Sequence, residues 1–157
     1  MSGTFLARLG VPDRCISDKR TAEEHSRSLH INVKKDWLVE RAQVDGCWIC
    51  GTEQKRVDFL FHVATRSQAG DQRAVLVELK GGHIGHALEQ VDSTLSYLSR
   101  ISHWSRAPGL KKFAFIVVSN GRNIPSYANK KLKIQKQYEV NISIKEHVVI
   151  KAGDIDL

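Results

Sequence analysis

The sequence predicts a single domain of the mixed α/β class, with a mixed central β-sheet flanked by helices. The chain has 157 residues, a length suited to one hydrophobic core, and no Pro- or Gly-rich linker divides it. Three segments rich in β-branched and aromatic residues lie at 57–63, 74–80 and 112–119, as expected of buried strands. An amphipathic segment at 84–103 separates the last two, and this alternation is typical of a sheet covered by helices.

The composition is that of a folded, basic protein. With 24 Lys+Arg, 17 Asp+Glu and 41% hydrophobic residues, the chain carries a formal net charge of +7 and is too apolar for disorder. No apolar run approaches the roughly 18 residues of a membrane helix, and no signal peptide is visible. The odd count of three cysteines argues against a disulfide scaffold, so we expect a reducing, cytoplasmic environment and no membrane partner.

The N-terminal part of the chain predicts a helix and then an ambiguous segment. Ser17 is a favoured N-cap residue, and Glu23 and Glu24 would fall in early turns, where carboxylates interact well with the helix dipole. A helix is therefore expected over about 17–30. The following segment, 31–44, fits a strand or a helix.

The residues between Gly46 and Gly51 predict a short strand or a turn in a hairpin. Cys47-x-x-Cys50 within them is also half of a structural zinc site, but Cys15 is the only other thiol. Two small, buried, apolar cysteine side chains are the interpretation that we favour over zinc.

The remainder of the chain predicts a central hairpin, then helices alternating with strands. The hairpin consists of a strand at 57–63, a polar turn at 66–73 and a strand at 74–80. The expected elements after it are a helix at 84–103, a strand at 112–119, a basic helix at 126–137 and a final strand or strand pair at 140–150. The core of the domain is expected at about 21–120, with the basic helix and final strand following at 122–150.

Charged residues interrupt the two central strands. Asp58 lies in the first, and Glu78 and Lys80 lie in the second, two residues apart and therefore on one face. A charge in an apolar strand costs free energy unless it is paired or binds a metal. Two carboxylates beside a lysine predict a Mg²⁺ site, and a buried ion pair would explain the same spacing.

This pattern resembles the PD-(D/E)xK nuclease superfamily. Asp58 is followed after nineteen residues by Glu78-Leu79-Lys80, two glycines and a helix, in the order that the family shows. Gln90 on that helix matches a glutamine common in the family, and Glu24 or its neighbour Glu23 is the candidate for a carboxylate on an earlier helix. The resemblance covers about 21–120 and implies a restriction-endonuclease-like fold.

One position departs from a subgroup of the family. Some members carry Tyr four residues after the helical Gln, whereas this chain has Thr94, and its nearest tyrosine is Tyr97. The departure argues against membership of that exonuclease subgroup.

The resemblance also implies a mechanism. Asp58, Glu78 and the carbonyl of Leu79 would bind Mg²⁺, with Mn²⁺ able to substitute. Lys80 would position or deprotonate the attacking water, or steady the developing negative charge. Gln90 would orient the water or the backbone by hydrogen bonding. The reaction would be hydrolysis of a phosphodiester bond.

The stretch from 122 to 137 contains basic residues and no acidic one. In a nuclease it would contact phosphates without reading sequence, and in any other protein it would be a solvated lysine-rich helix. The candidate nucleic-acid-binding residues are Arg122, Lys130, Lys131, Lys133 and Lys136.

Two functions of different classes follow. The first is a Mg²⁺-dependent endonuclease, acting on DNA more than on RNA, as a homodimer or as one subunit of a larger defence, repair or mobile-element system. The second is a catalytically silent nuclease-fold subunit that binds nucleic acid or serves assembly. The intact Asp58, Glu78 and Lys80 favour the enzyme, because a binding subunit does not need charges inside central strands.

Overall fold

The computed structural model describes residues 3–24, 27–33, 36–51, 55–66, 71–79, 83–118, 124–146 and 149–151. Within them, β-branched and aromatic segments pair into a six-stranded sheet. Numbered along the chain and given in spatial order, its strands are β1 (Ile16–Ser17), β4 (Trp37–Gln43), β5 (Phe59–Thr65), β6 (Gln72–Leu79), β7 (Leu110–Val118) and β8 (Val140–Glu146).

This sheet is mixed, as the sequence predicts. Neighbouring strands are antiparallel from β1 to β6 and parallel from β6 to β8. The central hairpin expected from the two charged strands is therefore confirmed as the β5–β6 pair. The parallel half arises because a helix connects β6 to β7 and another connects β7 to β8.

One short helix precedes the first strand of the sheet, and the other helices lie in its two crossovers. The longest follows β6 and confirms the helix expected at 84–103, although it ends earlier and a short helix follows. The helices are α1 (Phe5–Arg8), α2 (Ile84–Ser99), α3 (Ser102–Ser105) and α4 (Ala128–Tyr138). None of the described helices is both long and apolar enough to cross a membrane.

A second, three-stranded sheet lies on the other side of the six-stranded sheet. Its strands, in spatial order, are β2 (Thr21–Glu24), β3 (Arg27–Asn32) and β9 (Val149–Lys151). The pair β2–β3 is antiparallel, and β9 adds in parallel to β3. A final strand or strand pair is expected at 140–150, and the structure has two strands there, which lie in different sheets and do not pair with each other.

Two hydrophobic cores hold these layers together. On the helix face of the six-stranded sheet, Leu60 and Leu76 lie in one buried cluster with Leu88 of α2. On the opposite face, here called the second-sheet face, Phe61 lies in a separate buried cluster with Ile31 of β3. Alternate residues of the same strands supply both cores, as expected of a sheet buried on both sides.

The helix expected over 17–30 is wrong, because these residues build β2 and β3. Leu29 and Ile31 are both fully buried and lie two residues apart, so they share one face of a strand. Ala22 lies opposite Leu29 in the β2–β3 pair and belongs to the same core. A helix would direct Leu29 and Ile31 to nearly opposite sides and could not bury both against one sheet.

The cysteines also differ from expectation. Cys15 and Cys47 form a disulfide with a Cα–Cα distance of 5.7 Å, while Cys50 is free and exposed. The interpretation of Cys47 and Cys50 as two small buried side chains is therefore wrong, and Cys47 is not a free thiol that could bind zinc. The expected reducing, cytoplasmic environment rested on unpaired cysteines, and the disulfide removes that basis.

Candidate active site

Asp58 lies immediately before β5, where the central hairpin is tied to its neighbours. Its backbone carbonyl accepts a hydrogen bond from the Val44 N–H at 2.9 Å, and its Oδ2 accepts one from the Leu79 N–H at 2.8 Å. The residue is 7% exposed. The first bond holds the backbone of Asp58, and the second holds its carboxylate at the point where β5 begins and β6 ends.

The pairing of β5 with β6 brings Glu78 to the same place. Phe59 lies opposite Val77 in this antiparallel pair. Asp58 precedes Phe59 and Glu78 follows Val77, so the two acids lie opposite each other. Because side chains alternate between the two faces along each strand, Asp58 and Glu78 both lie on the helix face of the sheet. Glu78 is 0% exposed, so both carboxylates are buried at one end of the central hairpin.

Leu79 contributes its backbone here and its side chain elsewhere. The N–H reaches Asp58, whereas the side chain packs in the core of the second-sheet face. Lys80, the third charge predicted in these strands, lies outside the described residues.

Helix α2 holds the chain segment that leads into Asp58. The Nε2 of Gln90 donates to the carbonyl of Arg56 at 3.1 Å, and the Oγ1 of Thr94 accepts from the Val57 N–H at 3.0 Å. Thr94 also donates to the carbonyl of Gln90 at 2.7 Å, which fixes the direction of its hydroxyl. Gln90 therefore contacts the protein backbone just before Asp58, and Thr94 acts with it.

Arg56 is a further residue of this region that the sequence did not single out. Its Nη1 donates to the Oγ of Ser93 at 2.7 Å and to the carbonyl of Lys55 at 2.8 Å, and its guanidinium lies 5.0 Å from the centre of the Tyr97 ring. Burial is the main cause that lowers the pKa of Arg56 from its usual value, and the group still carries its charge at neutral pH. A basic residue two positions before Asp58 was the only sequence signal for it.

The structure corrects the expectation that Glu24 or Glu23 supplies a carboxylate to the site from an early helix. Glu23 and Glu24 lie on β2, a strand, and both are exposed. Because β2 belongs to the three-stranded sheet, it lies on the face opposite to the one that carries Asp58 and Glu78. The structure therefore does not bring Glu24 to the buried carboxylates.

The predicted basic helix is α4, and its lysines differ in environment. Lys130 lies 3.4 Å from Glu89 of α2 and donates to the carbonyl of Gly85 at 3.4 Å. Lys131 is half-exposed, whereas Lys133 and Lys136 are exposed. Arg122 lies outside the described residues. Lys130 is thus partly neutralised, and the other three lysines of α4 point at least partly to solvent.

The buried acids can be tested as ligands of a divalent cation. No group of three or more His, Cys, Asp or Glu side chains in the described part of the chain is arranged to hold a metal. Mg²⁺, however, is often bound by one or two carboxylates, with water and substrate phosphate completing its shell. Asp58 and Glu78 supply hard oxygen ligands of that kind, and a cation would offset the cost of burying their charges. The residues fit the ion.

Comparisons of this chain with protein-family models, with curated proteins and with solved structures found no match. The fold and the site define a mixed α/β protein with two buried carboxylates at one end of its central hairpin. The chemistry of that site is therefore the basis on which a function can be assigned.

Proposed function

We propose that this protein is a Mg²⁺-dependent nuclease of the PD-(D/E)xK type, which hydrolyses phosphodiester bonds in nucleic acid, with DNA favoured over RNA. The observation that carries the proposal is the hydrogen bond from the Leu79 N–H to Asp58, which joins this acid to the strand of the fully buried Glu78. Burying two carboxylates on adjacent strands costs free energy, and a fold of this size does not require it.

The proposal assigns a role to each residue of the site, and the role of Lys80 rests on the sequence resemblance. Asp58 and Glu78 would hold the cation through their carboxylate oxygens. When bound, the ion lowers the pKa of a coordinated water and neutralises charge on the reacting phosphate. Lys80 would steady negative charge with its ammonium group. Gln90 and Thr94 are positioning residues, because they hydrogen-bond to the backbone that leads into Asp58.

A cleavage assay on a broad panel of substrates tests the proposal. The pure protein is incubated with plasmid, single-stranded DNA, branched DNA and RNA, each with Mg²⁺, Mn²⁺ or EDTA. We expect cleavage with either metal and none with EDTA. The Asp58→Asn and Lys80→Ala variants should be inactive, because each removes one charge of the site.

Glu23→Gln is the matched control, since it removes a carboxylate charge from an exposed position on β2. This variant should cleave like the unmodified protein. Cleavage that persists in both Asp58→Asn and Lys80→Ala would contradict the site. Binding without cleavage of any substrate would favour the silent nucleic-acid-binding subunit.

A further inference from the structure

A polar groove runs along the outer surface of α2. It has a volume of about 470 Å³, and the segment that leads into Asp58 and the end of α4 both contribute to its walls. The residues on which its chemistry depends are Arg56, Ser93, Tyr97, Arg100, Gln137 and Tyr138. Arg56, which lines the groove, lies two residues before Asp58 in the chain.

The acids of the groove are already engaged. Glu89 forms ion pairs with Lys55 and with Lys130, and the hydrogen bonds from these lysines lower the pKa of Glu89. Asp92 accepts a hydrogen bond from the Tyr138 hydroxyl at 2.9 Å. Within the lining, Arg56 and Arg100 balance the charges of Glu89 and Asp92, so the positive excess of the region comes from the flanking Lys55 and Lys130.

The recessed cation of the groove is held in a fixed direction. Arg56 is 7% exposed, its guanidinium donates to Ser93, and it lies against the face of Tyr97. The rings of Trp48 and Tyr97 pack nearly perpendicular to each other, with 5.7 Å between their centres. This arrangement leaves the guanidinium little freedom to extend outward, so a phosphate must enter the groove to reach it.

We propose that this groove binds single-stranded nucleic acid. The inference rests on the proposed function and gives it a substrate class. Arg100, which is exposed, and the recessed Arg56 would contact successive phosphates, and the half-buried ring of Tyr138 would contact an unpaired base. A duplex keeps its bases stacked inside and offers no unpaired base to the groove, so it gains only the phosphate contacts.

Equilibrium binding without metal tests the groove separately from cleavage. Fluorescence anisotropy is measured in EDTA with a labelled single strand of about 20 nucleotides and with a hairpin duplex of the same composition. We expect the single strand to bind at least about tenfold more tightly. The Arg100→Ala variant should lose about tenfold in that affinity, and the slope of log K against log salt should fall in magnitude by about 0.7.

Arg106→Ala is the matched control. Both arginines are exposed, and each follows the last residue of a helix, Arg100 after α2 and Arg106 after α3. Arg106 does not line the groove. Its removal should leave the single-strand affinity within about twofold of the starting value. Thermal melting of both variants establishes that they are folded.

Three results would overturn the groove as a binding site: equal or tighter binding of the duplex, equal losses in the two arginine variants, or an unchanged salt slope in Arg100→Ala. These failures are distinct from failure of the nuclease proposal. Metal-dependent cleavage that needs Asp58 but is indifferent to Arg100 would retain the nuclease and remove the groove. Single-strand binding that needs Arg100, without cleavage of any substrate, would retain the groove as a binding site and remove the nuclease.

Discussion

The two faces of the β5–β6 hairpin use the same strands for different purposes. On the second-sheet face, Phe61, Val75 and Val77 are buried in an apolar cluster. Two arginines border this cluster, with Arg41 over the Phe59 ring and Arg73 over the Trp37 ring. On the helix face, the apolar cluster around Leu60 and Leu76 gives way to the buried Asp58 and Glu78 at one end of the hairpin.

This difference separates stability from function. The apolar face is a continuous core, and each side chain removed from it should lower the free energy of unfolding. The polar end of the helix face buries charge, which costs free energy, so removing that charge should not destabilise the fold. Substitutions on the two faces should therefore have opposite consequences.

The largest effect is expected from Asp58→Asn. The amide retains an oxygen that can accept the Leu79 N–H, but it removes a buried charge beside Glu78. We expect the cleavage rate to fall by about a thousandfold, because the cation loses a charged ligand. The free energy of unfolding, from urea denaturation, should stay the same or rise. A stable variant that cleaves normally would contradict the role assigned to Asp58. A strongly destabilised variant would contradict the expectation that the buried charge lowers the free energy of unfolding.

The converse is expected from Phe61→Ala on the apolar face. Phe61 is 0% exposed, and its truncation should lower the free energy of unfolding by about 3–5 kcal/mol. Cleavage per folded molecule should not change. Phe61→Leu, which retains most of the apolar volume, serves as the control and should lose less stability. Loss of activity in fully folded Phe61→Ala would show that the faces are not separate.

A smaller effect is expected from Thr94→Val, which tests the link between α2 and the segment before Asp58. Thr94 is fully buried, and valine preserves its shape but leaves the Val57 N–H without its acceptor. The free energy of unfolding should fall by about 1–3 kcal/mol. The cleavage rate of the folded variant should also fall. Thr94→Ser retains the hydroxyl and should restore the cleavage rate. If serine and valine behave alike, the hydroxyl does not position this segment.

The smallest effect concerns pH and His62, which lies far along β5 from Asp58. Burial lowers the pKa of His62 from its usual value, although Gln72, 2.9 Å from Nε2, and Glu40 both act to raise it. Below about pH 6.5 the unfolded chain binds a proton that the folded protein takes up less readily, so stability should fall as the pH decreases through this range.

Urea denaturation at several values between about pH 7.5 and about pH 5.5 measures this dependence. The His62→Gln variant should show a shallower loss of stability with acidification than the unmodified protein. The same slope in both proteins would assign the dependence to other groups. His103, which acts to lower the pKa of His62, is the first to examine.

The predictable part of the fold is the part whose apolar segments are long and local. The strands β5, β6 and β7 and the helix α2 follow from hydrophobic period and β-branched content. The β2–β3 hairpin was missed because its burial depends on a layer completed by β9, from the far end of the chain. The disulfide was missed for a similar reason, since Cys15 and Cys47 are 32 residues apart and only the fold brings them together.

The candidate site shows the same division. The spacing of Asp58 and Glu78 within two neighbouring strands predicted their proximity, because strand register fixes which residues face each other. The bonds from Gln90 and Thr94 to backbone atoms were not predictable, since residue type does not reveal which backbone group a side chain will meet. The same holds for Arg56, whose importance appears only when Ser93 and Tyr97 are placed around it.

The central claim is that Asp58 and Glu78 together bind a divalent cation. The most direct test is to titrate the protein with Mn²⁺ and to follow the free ion by electron paramagnetic resonance spectroscopy. We expect saturable binding by the unmodified protein and by Glu23→Gln, competition by Mg²⁺, and loss of the site in Asp58→Asn. Mn²⁺ binding by Asp58→Asn that equals that of the unmodified protein would contradict the claim.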